Sequence, residues 1–234
     1  GSSQVITITG ITKGSGMIKP NMATMLGFVA TDAEVDAELL HRALRLVSNK
    51  SFNRITVDSD TSTNDAVVLT ATGVGGVVID ESNFDQFVDN LKKVFIELAQ
   101  SIIRDGEGAS KFVSVVVDSA EDSAEAVKVA YCIAESPLVK TALAASDANW
   151  GRILAAIGRA GVENLDVNQV SISLNGVLIV EQGGRAASYT EEAGEQAMAA
   201  EDITIHVCLN RGTAIETVWT TDLTYEYVRI NAEY

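Results

Sequence analysis

Histidine is scarce in this sequence. His41 and His206 are the only two, far apart and set in otherwise ordinary helical and strand patterns. A serine or cysteine nucleophile with a histidine base is therefore disfavoured, and no Gly-x-Ser-x-Gly elbow occurs. A zinc site would want ligands the chain hardly possesses, so no metal is expected. Cysteine is equally rare: Cys132 and Cys208 sit among apolar residues and read as buried free thiols of a reducing cytosol. No run approaches the ~20 apolar residues of a transmembrane helix, and no charged-then-apolar leader opens the chain. Positive charge is short as well. Seventeen Lys and Arg face 32 Asp and Glu, a net charge of −15, which argues against nucleic-acid backbones and anionic membrane surfaces as partners.

What is present suits a folded α/β (α+β) protein. At 234 residues and 47% hydrophobic, the chain can bury a large core as one domain, with division into two subdomains left open. Residues 36–47, 84–104, 123–134, 149–160 and 190–200 carry helical periodicity. Residues 4–11, 54–58, 66–72 and 112–117 read as strands. Val170 to Glu181, turning at Asn175-Gly176, predicts a hairpin with a type I′ turn. A second hairpin is predicted from 203–209 and 213–219 around Asn210-Arg211-Gly212, and the tail from Asp222 has no assignable period. Helices packed on largely antiparallel sheets are expected.

The familiar binding motifs fail. Asp58-x-Asp60-x-Ser62 starts like an EF-hand but has Thr63 where glycine is needed and Leu69 in place of the closing glutamate. Gly73-x-Gly75 is followed by Val78 instead of a third glycine. No cofactor is indicated. The stretch from Lys13 to Leu26 behaves differently. Gly14, Gly16 and Pro20 interrupt regular structure and lead into the apolar run Met25 to Ala30. Such a loop can deliver one residue to the start of a buried strand, and the candidate is Thr24, preceded by the small Ala23. A threonine freed at a chain terminus can use its own α-amine, of pKa about 7.7–8.0, as base. Autoproteolysis at Ala23–Thr24 would free it. Most Ala-Thr pairs are simply structure, and spacing alone does not decide.

Lys13 to Asp32, KGSGMIKPNMATMLGFVATD, resembles the processing site of the ornithine acetyltransferase family, the bifunctional glutamate N-acetyltransferases with a DmpA/ArgJ-like fold. Five further blocks resemble that family in order: SFNRITVDSDTSTND (51–65), DGEGASK (105–111), ESPLVKTA (135–142), DANWGRILAAIGRAG (147–161) and DLTYEYVRINAEY (222–234). The resemblance implies a cytoplasmic enzyme of arginine biosynthesis. Thr24 takes acetyl from N-acetylornithine, ornithine leaves, and glutamate becomes N-acetylglutamate; acetyl-CoA is a further donor in some members. Residues 1–23 would end an α chain and 24–234 form the β chain, assembled as an α2β2 heterotetramer. The resemblance makes Thr24 catalytic, Ala23–Thr24 the cleaved bond, and Lys13, Thr24, Glu107 and Asn231 substrate-binding. Each has a plainer alternative: a solvated loop lysine, a helix-end acid, an asparagine satisfying backbone groups. Asn149, Trp150 and Arg152, and the 58–65 loop, read as structural.

The chain departs from the family pattern in places. Only 23 residues precede Thr24, whereas the family's upstream segment carries an oxyanion-hole threonine-glycine pair and another substrate-binding threonine. The expectation is that this polypeptide alone is inactive or nearly so and self-associates through apolar surface the α segment would cover. Ser59 stands where glycine is usual, Ala148 where proline is frequent and Thr221 where cysteine is common. Two other readings compete with acetyl transfer: a catalytically silent fragment or scaffold, and an aminopeptidase of the same fold.

Overall fold

Apolar residues recur every three or four positions from Phe84 to Ile103, and the chain coils into a helix that buries Phe84, Phe87, Leu91, Phe95, Ala99, Ile102 and Ile103 on one stripe. That helix organises the first of two folding units, residues 1–105 and 106–234. The computed structural model describes residues 5–20, 25–61 and 63–233.

In the first unit, β1 (Ile8–Lys13), β2 (Leu26–Thr31), β3 (Glu34–Val35), α1 (Ala37–Ser48), β4 (Ile55–Thr56), β5 (Ala66–Ala71), β6 (Val78–Ile79) and α2 (Phe84–Arg104) follow one another. A three-stranded sheet runs in the order β1-β2-β5, antiparallel between β1 and β2 and parallel between β2 and β5. Along β2, Gly27, Val29 and Thr31 point inward while Leu26 and Phe28 point out, the period of two that a pleated strand imposes. A Cβ on Gly10 would come within 2.7 Å of Leu98, so glycine there lets α2 pack closely on β1. Phe52 meets Phe95 edge to face, centroids 5.6 Å apart. Asp36 caps α1 by accepting from Glu38 N at 2.8 Å. Arg42 grips Glu81 through two hydrogen bonds and lies over the Phe84 ring.

The second unit comprises β7 (Phe112–Ala120), α3 (Ser123–Ala134), α4 (Pro137–Ala144), α5 (Trp150–Gly158), β8 (Ser171–Leu174), β9 (Val177–Glu181), β10 (Gly184–Arg185), α6 (Glu191–Met198), β11 (Asp202–Cys208), β12 (Ala214–Thr221) and α7 (Tyr225–Ala232). Its strands run in the order β10-β9-β8-β11-β7-β12, antiparallel except between β11 and β7. The predicted Asn175-Gly176 turn joins β8 to β9 with both φ angles positive, 45° and 84°. The second predicted hairpin is wrong. β11 and β12 do not pair with each other, because β7 lies between them and bonds to both. β7 buries Phe112, Val113, Val115, Val117 and Ala120, and a strand that apolar lies best at the middle of the sheet. Residues 209–212 instead cross the end of β7, with Leu209 N on Asp118 O and Arg211 N and Gly212 N on Ser119 O. The tail without a period forms α7, capped by Thr224. α4 starts at Ser136-Pro137, a capping serine followed by proline at the first helical position.

The outward face of the three-stranded sheet carries a row of apolar side chains. Ile11 lies across from Phe28 and Phe28 across from Val68, and they are 70%, 50% and 44% exposed. A polypeptide of these 234 residues alone is expected to self-associate through this row. Sedimentation velocity should show larger species that dissociate on Phe28→Lys; a parent chain that stays monomeric over the accessible concentrations would count against it. Ser59 occupies the left-handed region at φ 72°, a conformation that favours the glycine expected there from the resemblance. The strain of roughly 1–2 kcal/mol for a side chain in that region exceeds the extra backbone entropy of glycine, about 0.5–1 kcal/mol. Ser59→Gly should therefore raise the unfolding midpoint slightly, and calorimetry giving a lower Tm would refute this.

Candidate functional site

β1 ends at Lys13, which is exposed and lies in register opposite Leu26. This pairing brings the lysine's backbone to a position two residues beyond Thr24 in sequence. The intervening loop is pinned on both flanks. Ile18 is fully buried, Pro20 is buried and Met25 is 1% exposed, so their backbone groups need partners inside the protein. The Asp58 carboxylate accepts from Met17 N at 2.7 Å and Ile18 N at 3.1 Å, while Val57 N donates to Ile18 O at 2.8 Å. On the other flank Met25 N donates to the Asp65 carboxylate, and Ala66 N donates to Met25 O at 2.9 Å. The acidic loop thus supplies a pair of backbone clamps, a structural role of the kind expected for it. Residues 21–24, including Ala23 and Thr24, lie outside the described residues. A cleft of about 540 Å³ borders both flanks, lined by Pro20, Met25, Asp65, Leu44, Phe52 and Arg45 among others.

In the second unit the structure joins two residues 124 positions apart. Asn231, on α7, donates from Nδ2 to the Glu107 carboxylate at 3.0 Å and to Tyr227 O at 3.0 Å. Glu107 is half-buried and Asn231 exposed. α2 ends at Arg104, ahead of the glycines on either side of Glu107. Gly106 is buried, and Gly108 supplies a close approach. Its φ is 65°, and a Cβ there would stand 2.3 Å from Tyr227 N, so only glycine lets α7 sit against the loop. The Thr224 hydroxyl donates to Gly108 O at 2.6 Å. Asp222 accepts from Ser110 N at 2.9 Å, Lys111 N at 3.1 Å and the Ser110 hydroxyl. These two partners of the loop, Thr224 and Asp222, escaped sequence reading. A threonine followed by an acid in the first turn marked the start of α7, whereas nothing marked Asp222.

The remaining candidates take structural roles. Asn149 caps α5 through Arg152 N, Arg152 Nη1 donates to Leu138 O at 2.8 Å, and Trp150 packs on the core of the second unit. Both cysteines are free but half-buried, not buried as expected; burial pushes the Cys132 thiol above its ordinary pKa, which keeps thiolate scarce. His41 is exposed on α1 and lines the cleft beside Pro20 and Met25, and His206 faces Asp118 at 3.5 Å. Among the described residues no helix is long and apolar enough to cross a membrane, and no three His, Cys, Asp or Glu side chains are grouped to hold a metal ion.

Known proteins share this sequence and fold. A protein of Psychrobacter arcticus named arginine biosynthesis bifunctional protein ArgJ is 58% identical over 231 residues, 97% of this chain and 57% of its own length. A protein of the same name from Pseudomonas syringae pv. tomato is 56% identical over 233 residues, 98% of this chain and 58% of its own length. The chain therefore spans less than two thirds of the curated relatives it matches. The crystal structure of arginine biosynthesis bifunctional protein argJ from Bacillus halodurans superposes with a TM-score of 0.86 at 41% identity, over 90% of this chain and all of that one. That likeness bears out the expected α/β fold, with mixed sheets. The sequence pattern that defines the ArgJ family extends over residues 2–234, and the chain belongs to the ArgJ family.

Proposed function

We propose that this chain carries the nucleophile and part of the substrate-binding machinery of an acetyltransferase of arginine biosynthesis, one that moves acetyl from N-acetylornithine to glutamate. Within the ArgJ family, the observation that carries this reading is the meeting of Glu107 and Asn231 across 124 residues. Both were named as substrate ligands from separate sequence blocks. A carboxylate held by an asparagine amide suits the ammonium groups of an amino-acid substrate, and an exposed lysine such as Lys13 suits a carboxylate.

The chemistry begins with maturation. Thr24 Oγ attacks the Ala23 carbonyl carbon, the peptide C–N bond breaks as the acyl group shifts from N to O, and water hydrolyses the ester. Ala23 is left as a carboxylate and Thr24 with a free α-amine. That amine takes the Oγ proton as Oγ attacks the acetyl carbonyl of N-acetylornithine. The C–N bond breaks, the leaving amine regains a proton and ornithine departs. Glutamate's amine then attacks the acetyl-threonine ester, releasing N-acetylglutamate and restoring the hydroxyl. Acetyl-CoA would leave the same acetyl-threonine by losing its thiol, and the steps as written call for no cofactor. The clamps of Asp58 and Asp65 on either flank of 21–24 support a loop held still for attack at one bond. In this reading an α chain of the same precursor completes a cytoplasmic α2β2 assembly.

Mass spectrometry of the full-length protein should find a new N-terminus at Thr24, absent in Thr24→Ala. If processing never occurs there, the nucleophile is misassigned. With N-acetylornithine and glutamate, and no acetyl-CoA, the matured protein should form N-acetylglutamate. Glu107→Gln should raise the KM for N-acetylornithine about 10- to 100-fold, the size of a hydrogen bond to a charged group. An unchanged KM would remove Glu107 from the site. Release of amino acids from short peptides without acetyl transfer would favour the aminopeptidase instead.

A further inference from the structure

Glu107 stands between two glycines, so its own neighbours give the loop no side chains with which to hold its shape. The restraint comes from segment 222–231. The Thr224 hydroxyl binds Gly108 O, and Asn231 binds the Glu107 carboxylate. At the root of the loop, Asp222 is 3% exposed and receives the Ser110 N–H, the Lys111 N–H and the Ser110 hydroxyl. We infer that Asp222 is a positioning residue for Glu107, its carboxylate fixing residues 108–111 so that the Glu107 side chain meets the amino-acid substrate in one orientation. This rests on Glu107 being a substrate ligand.

Asp222 is itself held from below. Lys140, 3% exposed on α4, donates from Nζ to Thr220 Oγ1 at 2.9 Å, Thr221 Oγ1 at 3.2 Å and Thr221 O. Leu223 N donates to Lys140 O at 3.1 Å, and the Thr221 hydroxyl donates to Asp222 O at 2.9 Å. The backbone on either side of Asp222 is thus bonded to one buried lysine or to its immediate partners. Its carboxylate has little freedom to follow a loop that moves. A rigid acceptor facing successive donors selects one loop conformation, and a ligand displaced by even 1 Å loses much of its effect.

The test is a double-mutant cycle on the full-length, matured protein. Asp222→Asn keeps the shape and removes the charge. It should raise the KM for N-acetylornithine about 10-fold with kcat changed less than twofold, and hydrogen exchange at Ser110 and Lys111 should speed up by a similar factor. In a Glu107→Gln background the same change should leave KM alone, since both act through one contact. If the two effects multiply, or if Asp222→Asn lowers Tm without touching exchange at 108–111, Asp222 is merely structural and the inference fails. Should Asp222→Asn not fold, Ser110→Ala removes one donor from the opposite side and must show the same KM shift and coupling. If Glu107→Gln leaves KM unchanged, the substrate-ligand reading is what has failed. Exchange at 108–111 then still reports whether Asp222 orders the loop, and unaltered exchange overturns that as well.

Discussion

A backbone amide outside regular structure needs an acceptor, at a cost of a few kcal/mol where it is buried without one, and this requirement shapes both candidate loops. In each, a glycine-rich segment runs close to the core, where helix or sheet bonds cannot serve it. The acceptors are aspartates from elsewhere in the chain. Asp58 and Asp65 take the amides of residues 17, 18 and 25; Asp222 takes those of 110 and 111. Aspartate suits the task because its short side chain loses little entropy on ordering and its two oxygens can each accept more than once. Several of the acids behind the net charge of −15 are therefore internal fittings as much as surface charge.

The fold was legible wherever a local pattern and the tertiary environment asked for the same thing. α2 begins at Phe84 and ends at Arg104 as its apolar spacing implied, and Asn175-Gly176 turned where type I′ chemistry required. The failures share a cause. β11 and β12 are short, apolar and separated by Asn-Arg-Gly, which is a hairpin's local signature. The partner that separates them, β7, lies about ninety residues earlier, and a period of two carries no information about pairing at that distance. α7 was invisible by period because it buries no residue fully; its cap and its seat against Gly108 hold it, and neither produces an apolar stripe.

The candidate site divides along the same line. Lys13, Thr24, Glu107 and Asn231 could be put forward because the short blocks that hold them resemble those of a known family. Their supports could not. Gly108 is needed for a helix that arrives more than a hundred residues later, and Asp222 for amides equally remote. A glycine after an acid and an aspartate before a helix are common in any sequence. Only the fold turns them into a close approach of backbones and a buried acceptor. Ser59 shows the converse: the resemblance leads one to expect glycine there, and the positive φ gives the physical reason.

The absences noted at the outset bear on the chemistry once the fold is known. Cys132 has its thiol pushed up by burial and so offers little thiolate. His41 lies on α1, where it is exposed and lines the cleft beside Pro20 and Met25, while His206 sits on a strand beside Asp118. Neither histidine is in the loop that ends at Thr24, and the Asp58 and Asp65 carboxylates that meet its flanks are engaged in holding backbone amides. In the mechanism proposed above, a base built into the nucleophile itself removes the need for any of them. The α-amine of a terminal threonine moves with its own Oγ, so the two stay in register however the surrounding segment adjusts. What the protein must then supply is a fixed entry and exit for the segment, and the two aspartates that grip its flanks are suited to that demand.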